Sequence, residues 1–149
     1  MAQPNTLTVT AGPSRVGANA VIRVEASHSS TGNTQTTPFK GVGGWSSASV
    51  ILGCSAFSTS VLNVWIQKRA PDSTSWIDII AFETLTATGS IEAEFTSAGN
   101  DMFTPTDGTL AAGTIQTCMI GSEWAISWSV GNDTHGGTAT FAIYADFFE

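Results

Sequence analysis

Residues 61–89, VLNVWIQKRAPDSTSWIDIIAFETLTATG, restrict what this chain can become more than any other stretch. Residues 61–68 place Leu62, Val64 and Ile66 on one face and Val61, Asn63, Trp65 and Gln67 on the other, the two-residue period of a β-strand. A short polar loop carrying Pro71 and Asp72 follows. Residues 75–82 alternate again, with Trp76, Asp78, Ile80 and Phe82 opposite Ile77, Ile79 and Ala81. Both faces of this second strand carry apolar weight, which places it inside a sheet rather than on an edge. A chain organised around such a hairpin is an antiparallel β protein.

The remaining segments agree. Residues 6–10 (TLTVT) read as a short first strand or an arm, residues 20–26 (AVIRVEA) as a strand, and residues 45–53 as a strand with an apolar end. Residues 90–96 alternate Ile91, Ala93 and Phe95 against Glu92, Glu94 and Thr96, a one-sided strand with a wet face. Residues 114–120 read as a further strand. Residues 123–130 give the cleanest alternation, Trp124, Ile126, Trp128 and Val130 against Glu123, Ala125, Ser127 and Ser129. Residues 138–147 put Phe141, Ile143, Ala145 and Phe147 on one face, and chain order pairs them with 123–130 as a hairpin. Two long polar connections, 27–44 and 98–113, interrupt the pattern; loops of that length tend to be functional or mobile. The expectation is one domain over residues 1–149, with 1–19 as a possible N-terminal arm. Its fold is an all-β antiparallel sandwich, jelly-roll-like, with eight to ten strands and no significant helix.

Composition supports this. A chain of 149 residues buries about 68–70% of its unfolded surface, and 42% hydrophobic residues supply a core. Only 11% are charged, while 17 Ser and 21 Thr occupy the polar positions. Thr suits a pleated, half-exposed face, whereas long helices would need more than two Lys and three Arg. The net charge of −7 argues against nucleic acid, whose phosphates demand clustered Lys and Arg, and against an anionic membrane surface. Lys68–Arg69 is the sole adjacent basic pair and reads as a solvated turn. No apolar run reaches bilayer-spanning length, and the first residues lack a signal-peptide pattern, so folding in a cytoplasm is expected. Cys54 and Cys118 sit in apolar, strand-like surroundings; two buried thiols are the ordinary reading there, a disulfide between facing strands the alternative.

Chemistry is sparse. His28 and His135 both lie in polar loops, and no serine occupies a G-x-S-x-G elbow. Glu92 and Glu94 stand about 7 Å apart on one strand face, a spacing open to acid–base work but also the ordinary wet face of a one-sided strand. Asp101, Asp107 and Asp133 are too scattered for a calcium register. Residues 41–44, GVGG, lack the Lys and Ser/Thr of a phosphate loop. No enzyme, cofactor or metal is expected. Trp65, Trp76, Trp124 and Trp128 invite a carbohydrate-binding reading, yet Ile126 and Val130 share the Trp124 face, which says core. Phe39, Met102, Phe103 and Leu110, apolar residues in loops expected to be mobile, either tuck over the core or anchor a partner.

The hairpin resembles a recurring segment of tailed-bacteriophage structural proteins: an alternating strand ending Ile66–Gln67, a Pro71–Asp72 turn, Trp76, Asp78, and a TATG turn closing at Gly89. Residues 123–149 resemble the closing strands of the same proteins, and together the two stretches cover about a third of the chain. The chain departs from the commoner Gly-rich loop by carrying Ser73–Thr74–Ser75 between Asp72 and Trp76. The resemblance implies a virion structural protein without catalytic residues. Its foremost form is a capsid decoration (cement) protein on the head surface, made in the host cytoplasm, whose partners are the major capsid protein and other copies of itself in a homotrimer. A tail, neck or head-fibre component, or an adhesion module for a host surface glycan, are the alternatives.

Overall fold

The structure, a computed structural model, describes residues 6–11, 17–27, 31–33, 38–58, 61–99, 102–131 and 138–148, with side chains from residue 38 onward except that of Phe39. Among them are eleven strands: β1 (Thr6–Ala11), β2 (Gly17–Ser27), β3 (Thr31–Asn33), β4 (Phe39–Lys40), β5 (Ser47–Phe57), β6 (Leu62–Arg69), β7 (Trp76–Ala81), β8 (Gly89–Thr96), β9 (Thr114–Ile115), β10 (Glu123–Val130) and β11 (Thr138–Phe148). Among the described residues the single helical element is a 3-10 turn at Val42–Gly44, which buries Val42. Every pairing is antiparallel.

The strands form two sheets. One has the order β1-β2-β11-β5-β8; the other runs β3-β10-β6-β7-β9, with β4 also on β10. The chain passes from β2 to β3 and β4 in the second sheet, back to β5, across to β6 and β7, back to β8, across again to β9 and β10, and finishes in β11 beside β2. This is the jelly-roll order, two sheets exchanging strands through Greek-key connections. Residues 6–10, expected as a short first strand or an arm, are strand: they lie in β1, an edge of the first sheet.

The core lies where the two inner faces meet. Leu62, Val64 and Ile66 of β6, Trp124, Ile126, Trp128 and Val130 of β10, and Phe141, Ile143, Ala145 and Phe147 of β11 are all buried in one cluster, on the faces expected from their alternation. Aromatic rings join the sheets. Trp124 meets Phe147 at 5.0 Å and Phe95 at 6.0 Å between ring centroids, and Trp128 meets Phe141 at 5.9 Å, all edge-on. Such packing adds to burial because the positive edge of one ring faces the negative face of another.

Four details differ from the expectation. β10 and β11 are not a hairpin: β10 pairs with β3, β4 and β6, and β11 with β2 and β5. They face each other across the core, which is why both carry a full apolar stripe. In residues 114–120 only Thr114–Ile115 is strand. The polar connection 27–44 contributes two short strands, β3 and β4. The alternation in β7 breaks at a bulge: Ile66 pairs with Ile80, yet the next residue, Gln67, pairs with Asp78. Ile80 and Phe82 therefore share the core face with Ile66, whereas Trp76 and Asp78 share the outer face with Arg69 and Gln67. An inserted residue re-aims the side chains on either side of it, and here the bulge turns Asp78 outward beneath a loop.

Candidate functional site

The outer face of the second sheet is covered. Gln67, Asp78, Ala125 and Ser127 all point away from the core by register, yet Gln67 and Ala125 are fully buried, Asp78 is 1% exposed and Ser127 is nearly buried. The segment 104–110 lies over them. Asp78 holds it there. Its Oδ1 accepts the Gly108 N–H (2.8 Å) and Gln67 Nε2 (2.9 Å). Its Oδ2 accepts Thr106 Oγ1 (2.9 Å) and the N–H groups of Thr109 (3.0 Å) and Leu110 (3.1 Å). Its own N–H donates to the Thr106 carbonyl at 2.8 Å. Gln67 Nε2 also donates to Asp107 Oδ1 at 2.6 Å, and Trp65 Nε1 donates to the Leu110 carbonyl at 3.0 Å. One carboxylate thus supplies the acceptors for three consecutive backbone donors that would otherwise be stranded without partners.

The far end of the same connection is fixed by a residue on the other face of β6, opposite Trp124 in register. Lys68, 9% exposed, donates from Nζ to the Met119 carbonyl at 2.9 Å. Gly121 lets the chain pass it: its φ is +80°, and a Cβ there would stand 3.0 Å from Lys68 Cβ. Ser97 Oγ accepts the Ile120 N–H at 2.9 Å, and Trp124 Nε1 donates to the Ile120 carbonyl at 2.8 Å.

The β6–β7 turn is built the same way. Asp72 accepts from the N–H groups of Thr74 (2.9 Å) and Ser75 (2.8 Å) and from Ser75 Oγ (2.7 Å). Ser73 takes a left-handed φ of +64°, the position where a Gly-rich version of this loop would sit without strain. Arg69 closes the turn: Nη1 donates to the Ser73 carbonyl at 2.8 Å, Nε pairs with Glu123 Oε2 at 2.8 Å, and the guanidinium lies 4.5 Å from the Trp76 ring centroid. The Ser75 N–H, then its hydroxyl, then the Thr74 N–H favour the ionised Asp72 carboxylate and lower its pKa from 3.8 to about 2. A depressed folded-state value means the turn's stabilisation is complete above pH 3.8 and is lost as pH falls through about 2. A carbon-13 titration of the Asp72 carboxyl is expected to show a midpoint near 2, rising toward 3.8 in Ser75→Ala; a midpoint of 3.8 in the unaltered protein would contradict the hydrogen-bonded turn.

Of the four expected contact residues, the structure puts one fully on the surface. Met102 is 100% exposed. Phe103 is half-buried and packs on the core cluster. Leu110 is half-buried and bonded through both its N–H and its carbonyl, so its loop is pinned where mobility was expected. Phe39 enters β4 opposite Trp124, and its side chain lies outside the described residues. Sequence reasoning missed Met119, 59% exposed, and Ile115, 45% exposed, on the same connection. It also passed over Gln67 and Asp78 as anchors, although a polar residue inside each apolar strand was the available signal.

The other candidates separate. Trp124 and Trp128 are in the core, Trp76 is buried, and Trp65 is half-buried under Leu110, so these four rings form no open sugar platform. Glu92 and Glu94 are exposed on β8. Asp107 is engaged by Gln67, while His28, His135, Asp101 and Asp133 lie outside the described residues. Among the described residues no three His, Cys, Asp or Glu side chains gather to hold a metal. Cys54 and Cys118 are free and buried. Burial pushes both thiols above their ordinary pKa, with Lys68 partly opposing it at Cys118 and a bond to the Ala56 carbonyl opposing it at Cys54; raised thiols are poor nucleophiles. Comparison of this chain with protein-family models, with curated proteins and with solved structures finds no match.

Proposed function

We propose that this chain is a virion structural protein of a tailed phage, a capsid decoration protein that binds the outer surface of the head and clamps neighbouring capsid subunits. The observation that carries the reading is the pinned connection between β8 and β10. Asp78, Gln67 and Trp65 tie it down at residues 106–110 and Lys68 at the Met119 carbonyl, and it carries Met102 and Met119 exposed to solvent. A contact surface fixed in advance loses little freedom when it docks, and exposed methionines fit irregular apolar pockets. The jelly-roll order and the hairpin's resemblance to virion proteins point the same way. The buried polar side chains of this region are engaged in holding loops, a structural use rather than a reactive one.

Copies assemble in this reading as a closed ring, a homotrimer, since cyclic symmetry satisfies every equivalent contact. Binding only to the assembled shell stabilises it by mass action. Purified virions are expected to carry the chain at high copy number on the head, and particles lacking it should break at lower temperature and at low ionic strength. Particles as resistant without it as with it would end the clamping idea. A low copy number at the tail or neck would move the chain to the tail, neck or fibre alternative.

A further inference from the structure

The first sheet ends in a long open edge. β8 pairs with β5 on one side, from Gly89 to Thr96, and among the described residues no strand or bridge occupies its other side. On the facing sheet the corresponding edge is β9, only two residues long. Between them lies a cleft of about 370 Å³. Its floor includes Ile91 and Ala93, both half-buried, and Ile115, 45% exposed; its rim carries Glu83, Glu92 and Glu94 and no basic residue.

An unpaired strand edge presents alternate N–H and C=O groups to any extended segment that can lie along it. The carboxylates decide which segment that is. A second copy of β8 fits poorly: the registers that overlap the two strands most fully, with faces matched, set Glu92 against Glu92 or Glu94, and like charges directly opposite one another destabilise a pair. The chain's net charge of −7 adds to that repulsion. A segment with Lys or Arg at alternate positions meets the glutamates instead and turns small apolar side chains toward Ile91 and Ala93.

We infer that β8 is a docking edge for an extended, basic segment of a partner protein, which joins the first sheet as an added strand. The inference goes beyond the virion reading and does not depend on it, since any partner with such a segment would serve.

The test uses the full chain and a capped ten-residue peptide alternating Lys and Val. Two control peptides accompany it: one alternating Glu and Val, and one Lys–Val peptide N-methylated along one edge. The Lys–Val peptide is expected to bind, to protect β8 amides from hydrogen exchange, and to weaken about tenfold in the double variant Glu92→Lys/Glu94→Lys and again on raising the salt. Both glutamates are exposed, so the variant should keep its fold, checked by circular dichroism. No binding, equal binding of the Lys and Glu peptides, undiminished binding of the N-methylated peptide, or protection confined to other strands would each overturn the proposal. So would a β8-mediated dimer in the sedimentation profile of the unliganded chain.

Discussion

Asp78→Ala is expected to destabilise the protein by about 3–5 kcal/mol, because it removes a buried group and strands the donors that group satisfied. The carboxylate accepts five hydrogen bonds, three from consecutive backbone N–H groups at Gly108, Thr109 and Leu110. Gln67 Nε2 keeps Asp107 Oδ1 as a second acceptor, but the three backbone donors depend on Asp78 once the loop lies against the sheet, so the loop must lift and hydrate or leave them unsatisfied. At roughly 2–4 °C per kcal/mol for a chain of this size, the midpoint of thermal unfolding should fall by about 10 °C. Hydrogen exchange distinguishes the loop from the core: the amides of 108–110 should lose protection in Asp78→Ala while β10 and β11 keep theirs. Asp78→Asn should fall between, since its NH2 group turns one acceptor into a donor facing other donors. An Asp78→Ala protein with unchanged midpoint and unchanged protection at 108–110 would show that the loop is held by something else.

The second large effect belongs to Trp124. Its ring is fully buried, stands between Phe95 of β8 and Phe147 of β11, and spans from the second sheet to the first. Trp124→Ala leaves a cavity at the centre of the sandwich and is expected to cost about 3–5 kcal/mol. Trp124→Phe keeps most of the volume but abandons the bond from Nε1 to the Ile120 carbonyl, so its loss should be smaller and should loosen residues 118–121 first. Urea unfolding of the two variants, followed by far-ultraviolet circular dichroism, measures both. Equal losses would mean that the hydrogen bond, not the ring volume, holds this part of the core.

The inner faces of this protein were legible because each is written locally. In β10 and β11, and in β6 as far as Ile66, every second residue is apolar, and the period alone selects the buried set, as it did for Trp124, Ile126, Trp128 and Val130. The partner of a strand is not written locally. β10 and β11 follow one another in sequence with matching apolar stripes, and that pattern serves a hairpin in one sheet and a pair facing across two sheets equally well. The bulge in β7 was hidden for a related reason. Both Asp78 and Ile80 occupy one parity of a strict alternation, and only the register against Gln67 and Ile66 shows that they face opposite ways.

The pinned loop shows the same limit at longer range. Residues 98–113 read as a polar connection, and nothing within them announces an anchor. The anchor is Asp78, some thirty residues earlier, whose isolated charge among Ile77, Ile79 and Ile80 was the clue. The Trp76-x-Asp78 pattern, first noticed as a mark of resemblance, thus has a physical role: the bulge turns the carboxylate outward, and the loop closes over it.

The position of β11 has a consequence for how the molecule comes into being. It lies between β2 and β5, paired with each along its length, while β2 itself has only β1 on its other side. During synthesis β2 and β5 emerge early and must wait for the last described strand before the first sheet can be completed. Until then the backbone edges of β2 and β5 that β11 pairs with stay open, and the unfinished chain is open to association with its neighbours. Contacts so distant in sequence also make the final closure slow compared with folds built from local pairs.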